Sequence, residues 1–270
     1  MTVRRRLDAE VVRRGLLPTR QQAADAIAAG RVTVGGAPAT KSSRLVAPDE
    51  AVVVAGPPAR FVSRGGVKLE AALDRFCVDP EGRRCLDAGA STGGFTHCLL
   101  QRGAACVYAV DVGHNLLHER VAADPRVAVR DRTNARGLGL ADVDGVAVDV
   151  VVADLSFIGL SVVAPALVAV AAPGAEVVVL VKPQFEAGRA DVSRGRGVVR
   201  DPDVWARVLV EVKASLAVAG ATMMGAMVSP LTGADGNVEF LVHCTTASAS
   251  CAVADEVLRA LAHEAAPGGA

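Results

Sequence analysis

The chain has 270 residues, 51% of them apolar but only 3% aromatic, and a formal net charge of zero. That length holds two domains, or one large α/β domain with an appendage, and leaves the packing to valine and alanine, as buried parallel strands require. The zero total is uneven: residues 1–60 carry ten Lys/Arg against five Asp/Glu, and the remainder nineteen against twenty-four. A basic head on an acidic body points to a polyanionic partner for the head. The sequence argues against secretion and membrane spanning. Cys77, Cys85, Cys98, Cys106, Cys244 and Cys251 form no C-x-x-C pair and read as reduced thiols of a cytoplasmic protein. Met1-Thr-Val-Arg-Arg-Arg6 is followed by no apolar h-region. The stretch 161–181 is broken by Pro165, Pro173, Gly174 and Glu176, whereas a spanning helix needs about 20 continuous apolar residues. It reads as helix, turn and buried strand.

The first helix is predicted over 6–15, with Leu7, Val11 and Val12 at helical spacing and Gly15 as the stop. Thr19 caps a second helix, whose apolar positions are Ala23, Ala24, Ile27 and Ala28 and which ends at Gly30. Val32-Thr-Val34 followed by Gly35-Gly36 signals a hairpin. Arg4, Arg5, Arg6, Arg13, Arg14, Arg20, Arg31, Lys41 and Arg44 decorate this unit without matching acids, which favours RNA as the partner. The order R-x-L-D…R-G-L…T-R-x-x-A…I-x-x-G-x-V-x-V-x-G…K resembles the small RNA-binding domain named after ribosomal protein S-four, over residues 4–55. The resemblance implies that Arg4, Arg6, Arg14, Arg20, Arg31 and Lys41 grip structured RNA, mostly through backbone and shape. This small α+β unit is expected over 1–56, with Pro57-Pro58 stiffening a linker over 57–62.

From residue 61 the pattern changes to alternating strands and helices. Residues 84–88 are predicted as the first strand, 93–102 as its helix, 106–112 and 126–130 as the second and third strands, and 147–153 and 175–181 as the fourth and fifth. Residues 221–228 and 239–244 follow with only a loop between them, so the final pair is antiparallel. The fold class is therefore α/β over 63–270: a Rossmann-like parallel sheet with an antiparallel last strand.

Asp87-x-Gly89-x-x-x-Gly93-Gly94 follows a strand and opens a helix, the context in which a glycine motif is credible. Asp87, Gly89, Ser91, Thr92, Gly93 and Gly94 form a cradle whose exposed N–H groups favour an anion. Dinucleotide pyrophosphate and the carboxylate of a methionine moiety both fit, but the acid two residues before Gly89 repels the first and welcomes a methionine amino group. Asp111, at the end of the next strand, suits a ribose. Asn134, or Asp131 beside it, suits the adenine end.

The fourth strand ends at Asp154 and the fifth at Lys182, in the crevice where open α/β sheets do their chemistry. Asp154-Leu-Ser-Phe157 lacks the Pro-Pro-aromatic of amino-group methyltransferases and the Pro-Cys of carbon-5 enzymes, so oxygen is the expected acceptor. A lysine at a buried strand end is placed to accept a proton or stabilise an alkoxide. Glu239 begins the last strand at the same edge, and Lys68 precedes the first strand on a helix.

The set resembles the Lys-Asp-Lys-Glu tetrad of FtsJ-type ribose 2′-O-methyltransferases. Within that group Ser63-Arg-Gly-Gly-x-Lys-Leu69, 85–95, Arg132-Thr-Asn-Ala-Arg136, 152–158, 180–186 and Gly236-Asn-Val-Glu239 resemble the TlyA family, ribosomal RNA (cytidine-2′-O)-methyltransferases also labelled haemolysins. The resemblance implies S-adenosylmethionine as cofactor, held by the glycine turn, Asp111, Asn134 and Asp154. It further implies Lys68, Asp154, Lys182 and Glu239 as catalytic residues and ribosomal RNA or ribosomal subunits as partner. Neither an obligate protein partner nor a metal is expected, His114 and His118 reading as a surface pair that shares a helix face. Trp205 and Phe157 read as core, and Arg194, Arg196 and Arg200 as a basic loop that touches RNA or only solvent. The alternatives are a membrane-active haemolysin and a non-catalytic ribosome-binding factor.

Overall fold

The computed structural model describes residues 4–17, 19–56, 59–188, 197–233, 236–247 and 252–266. Pro57-Pro58, Arg194 and Arg196 of the basic loop, and Cys251 lie outside the described residues. The chain divides into two compact units, Met1–Ser63 and Arg64–Ala270.

In the first unit, helices Leu7–Arg13 and Arg20–Ala28 pack over Val32, Val46 and Val52. The Thr19 hydroxyl accepts the Gln22 amide at 3.2 Å, as an N-cap should, and Gly15 and Gly30 take positive φ where the helices stop. The buried stripe of the second helix differs from expectation: it is Gln22, Ala23, Ala26 and Ile27, and Ala28 is exposed. The face is turned because the Gln22 amide donates inward, to the carbonyls of Phe61 and Val62. Strand β1 (Arg5–Arg6) pairs antiparallel with β4 (Leu45–Val46), and β2 (Val32–Val34) with β3 (Ala37–Pro38) and β5 (Val52–Val54). Gly35 and Gly36 both have positive φ, the requirement of a two-residue hairpin turn that matches strand twist.

The second unit is built on a seven-stranded sheet among the described residues. Its strands are β6 (Arg84–Ala88), β7 (Cys106–Val110), β8 (Val127–Arg130), β9 (Val148–Ala153), β10 (Ala171–Val181), β11 (Thr222–Val228) and β12 (Phe240–Thr245), in the spatial order β11-β12-β10-β9-β6-β7-β8. Strands β10, β9, β6, β7 and β8 are parallel, and β12 runs antiparallel between β10 and β11. This is the expected α/β architecture, and valine supplies more of the buried strand residues than any other residue type. Strand β10 begins earlier than predicted, but its register against β9 shifts between Ala171 and Glu176, across Pro173 and Gly174. In β11 a bulge falls beside Gly225, where an added Cβ would meet the Phe76 ring at 3.2 Å.

Two expectations fail. Trp205 is core, edge-on to Phe240, but Phe157 is 88% exposed. His114 and His118 share no helix: the nearest one, Glu119–Ala122, starts after His118, whose ring nitrogen accepts the Arg120 amide as its cap. His114 faces Asp131 instead, at 2.9 Å.

Candidate active site

The site forms where β6, β7 and β9 end together. Gly89 and Ala90 both donate their amides to the Val110 carbonyl, and the Asp154 amide donates to Ala88. These bonds draw the Gly89 turn onto the end of β9. A Cβ on Gly89 would lie 2.5 Å from the Asp154 carbonyl oxygen, and φ is +86°, so glycine is required twice over. The Asp111 carboxylate braces the other side, one oxygen accepting from Ser91 (2.8 Å) and the other from Gly113 (2.7 Å).

Between these walls lies a cavity of about 500 Å³. Gly89, Ser91, Asp111, Asn134 and Asp154 line it, which brings five of the sequence-derived cofactor candidates together. Asp87, Thr92, Gly93 and Gly94 do not; they shape the turn beneath it. Gly93 takes φ +89° as N-cap of the Gly94–Gln101 helix, against Leu117 and Val121. Asp87 is fully buried, with one oxygen accepting the Thr96 hydroxyl at 2.6 Å and the other without a hydrogen-bond partner among the described residues. Burial, reinforced by the charges of Asp154 and Asp111, pushes its carboxyl up to about 7. Asp131, the alternative to Asn134, is not in the wall: its carboxylate accepts from Asn115 and faces His114, and that backbone bond lowers its proton affinity.

The four tetrad positions fall into two ion pairs. Lys182 Nζ lies 2.5 Å from Asp154 Oδ1 and donates to the Ser156 hydroxyl at 2.9 Å. Lys68 donates to Glu239, and this pair is buried, at 7% and 3% exposure. Three of the four lie at one edge of the sheet, because Val181 pairs with Phe240 and Lys182 and Glu239 are the next residues. Pro183 keeps Lys182 extended, so the strand delivers its side chain to that edge before the short Pro183–Glu186 helix begins. Lys68 arrives from the Gly65–Phe76 helix.

Sequence reasoning missed three neighbours. Ser156 and Phe157 line the cavity, and the Phe157 ring lies 4.9 Å from that of Phe185. Lys182 Nζ sits 5.9 Å from the Phe185 ring centre. An aromatic three residues past the strand-end acid was a signal for Phe157, but its apolar character made it read as core.

The FtsJ-like methyltransferase family model matches residues 61–245 and the S4 domain model residues 5–52. The 16S/23S rRNA (cytidine-2′-O)-methyltransferase TlyA of Mycobacterium tuberculosis is 51% identical, over 91% of each chain. The chain belongs to the TlyA family. Hemolysin A of Brachyspira hyodysenteriae is 39% identical over 88% of this chain and 98% of its own. A solved structure from Streptococcus thermophilus, described as a candidate hemolysin, superposes with a TM-score of 0.78 at 36% identity, over 97% of this chain and 95% of that one. Among the described residues of this TlyA-family chain no helix is long and apolar enough to cross a membrane.

The S4 unit corrects the expectation that its arginines lack matching acids. Asp8 and Glu10 are buried on the first helix and collect them: Asp8 holds Arg6 and Arg20, each at 3.0 Å, and Glu10 holds Arg13 and Arg14. These arginines hold both carboxyls down at about 2. Arg14 also donates to the carbonyls of Ala47, Pro48 and Glu50, and Arg31 to that of Ala55, so both brace the fold. Arg4 and Lys41 are exposed, and Arg6 and Arg20 keep about half of their side-chain surface in solvent.

Proposed function

We propose that the protein transfers a methyl group from S-adenosylmethionine to the 2′-hydroxyl of cytidine in ribosomal RNA. The observation that carries this reading is the Lys182–Asp154 pair, whose carboxylate is also part of the cavity wall. The wall suits the cofactor. Gly89 and Ser91 admit a close backbone approach, Asp111 retains acceptor capacity for ribose hydroxyls, and Asn134 serves the adenine end. Asp87 places a buried carboxyl behind the turn, which a methionine ammonium would favour in its ionised form. When bound, S-adenosylmethionine supplies a methyl group on a sulfonium.

The remaining work belongs to the chain's own side chains. Lys182 meets the ribose hydroxyl and lowers its proton affinity or takes its proton, while Asp154 and Ser156 hold Nζ in place. Lys68 and Glu239 neutralise each other behind this edge and fix the Gly65–Phe76 helix against it. Phe157, exposed in the wall, offers a stacking face to the nucleobase. The orientation supplied this way is the main catalytic device. Residues 1–56 grip the RNA through Arg4, Lys41 and the solvent faces of Arg6 and Arg20, residues 57–62 link, and residues 63–270 perform the transfer. A ribosomal substrate puts the site of action in the cytoplasm.

The test is Lys182→Ala. Calorimetry should register unchanged S-adenosylmethionine binding, while methyl transfer to ribosomal RNA is lost. Transfer that survives this substitution refutes the role given to Lys182.

A further inference from the structure

Glu186 has no part in the chemistry above and does not line the cavity, yet it is tied to the segment that follows β9. It ends the Pro183–Glu186 helix that follows Lys182. Both of its carboxylate oxygens accept the Leu160 amide, at 3.0 and 3.1 Å. Leu160 opens the Leu160–Ala169 helix, whose N-cap, Gly159, has no side chain to offer, so Glu186 supplies that function from another segment. Gly159 is also the residue that lets Glu186 in: a Cβ there would lie 3.3 Å from Oε2. The segment after β9 is thus fastened to the segment after β10 at three successive levels. Lys182 holds Asp154 and Ser156, Phe185 meets Phe157, and Glu186 holds Leu160.

We infer that Glu186 is a positioning residue for methyl transfer, acting through the Leu160 amide to set the 154–159 loop, and with it Ser156 and Phe157, against Lys182. This deepens the reading of Lys182 and Phe157 given above and rests on it. The charge of Glu186 matters to the tie, since a carboxylate accepts an amide proton more strongly than a neutral carboxyl. Its surroundings leave it finely balanced. The Leu160–Ala169 helix carries no ionisable group. The Pro202–Ala219 helix presents Glu211, itself beside Arg207, and the 154–159 loop presents Asp154, already paired with Lys182. Burial pushes the Glu186 carboxyl up to about 7, against the pull of the Leu160 amide and with help from Glu211.

Two substitutions and two readouts test this. Glu186→Ala should lower kcat for methyl transfer about tenfold through lost orientation. Glu186→Gln, which keeps one accepting oxygen but not the charge, should give an intermediate kcat, equal to that of the wild type below its acid limb. The wild-type kcat should fall as pH drops through about 7, and in Glu186→Gln that limb should be gone. Hydrogen exchange of peptides spanning 155–162 should quicken in Glu186→Ala while peptides from β6 and β10 hold their rates. A wild-type kcat in the alanine variant, a persisting acid limb in the glutamine variant, or unchanged exchange at 155–162 overturns the inference. If the wild-type protein itself transfers no methyl group, the proposed function falls, and the exchange comparison still decides whether Glu186 fastens the loop.

Discussion

Phe157 holds φ +64° while leaving 88% of its surface exposed, a combination that costs backbone energy and recovers little by burial. Strain held at a cavity wall is a reason to look for a ligand there. Replacing Phe157 by glycine removes the strain and the ring together. The thermal midpoint of Phe157→Gly should therefore equal or exceed that of the wild type, while kcat/KM on ribosomal RNA falls roughly tenfold or more, the worth of one base–aromatic stack. A fall in midpoint of several degrees would show the ring packing within the fold. Gly89 is the opposite case, a position where nothing can be added. Gly89→Ala combines a φ of +86° with a backbone oxygen 2.5 Å from the new methyl group. It should cost at least about 1–3 kcal/mol in denaturant unfolding. Calorimetry should also register loss of S-adenosylmethionine binding, because the turn must leave the end of β9 to admit the methyl.

At the level of elements, Asn237 shows how the catalytic edge is braced. Its side chain is buried and serves both ways, Oδ1 accepting from Val199 and Nδ2 donating to Gly197. Asn237→Ala orphans both backbone groups and should lower unfolding free energy in urea by about 2–4 kcal/mol; a loss below half of the smaller figure would mean that water replaces the amide. The Gly236-Asn-Val-Glu239 segment was recognisable as a motif, but the bracing was not, since Val199 lies 38 residues away. The same distinction runs through the fold. Strand ends were legible because valine runs stop at Asp154 and Lys182, and the hairpin because Gly35-Gly36 serves one turn type. Lys68 was legible only through resemblance: its helix precedes the sheet, and only tertiary packing brings it to Glu239. The pairing of Asp8 with Arg20 was hidden for a like reason, as it requires two helices to fold together first.

Taken as a whole, the molecule joins two units whose buried carboxyls are tuned in opposite senses. In the S4 unit Asp8 and Glu10 are held at about 2 by arginines, below their ordinary values of 3.8 and 4.5. Their contribution to stability is complete above those ordinary values and disappears as pH falls toward 2. In the methyltransferase unit burial raises Asp87 and Glu186 to about 7. Those two contribute most at low pH, below their ordinary values, and lose that contribution as pH rises through 7. Amide protection factors in the full chain, corrected for intrinsic exchange, should therefore separate the units. Between pH 8 and 5 protection at β6 and β9 should rise while that at Val11 and Ile27 stays level, and below pH 4 Val11 and Ile27 should lose protection first. Salt should weaken the acid-sensitive share, because Arg6 and Arg20 leave about half of their side chains in solvent and such pairs are screened. Asp87→Asn should remove part of the rise at β6 and leave the S4 unit unchanged. If protection at β6 and β9 fails to rise between pH 8 and 5, burial does not hold the Asp87 carboxyl up, and its place behind the cofactor turn needs a different account.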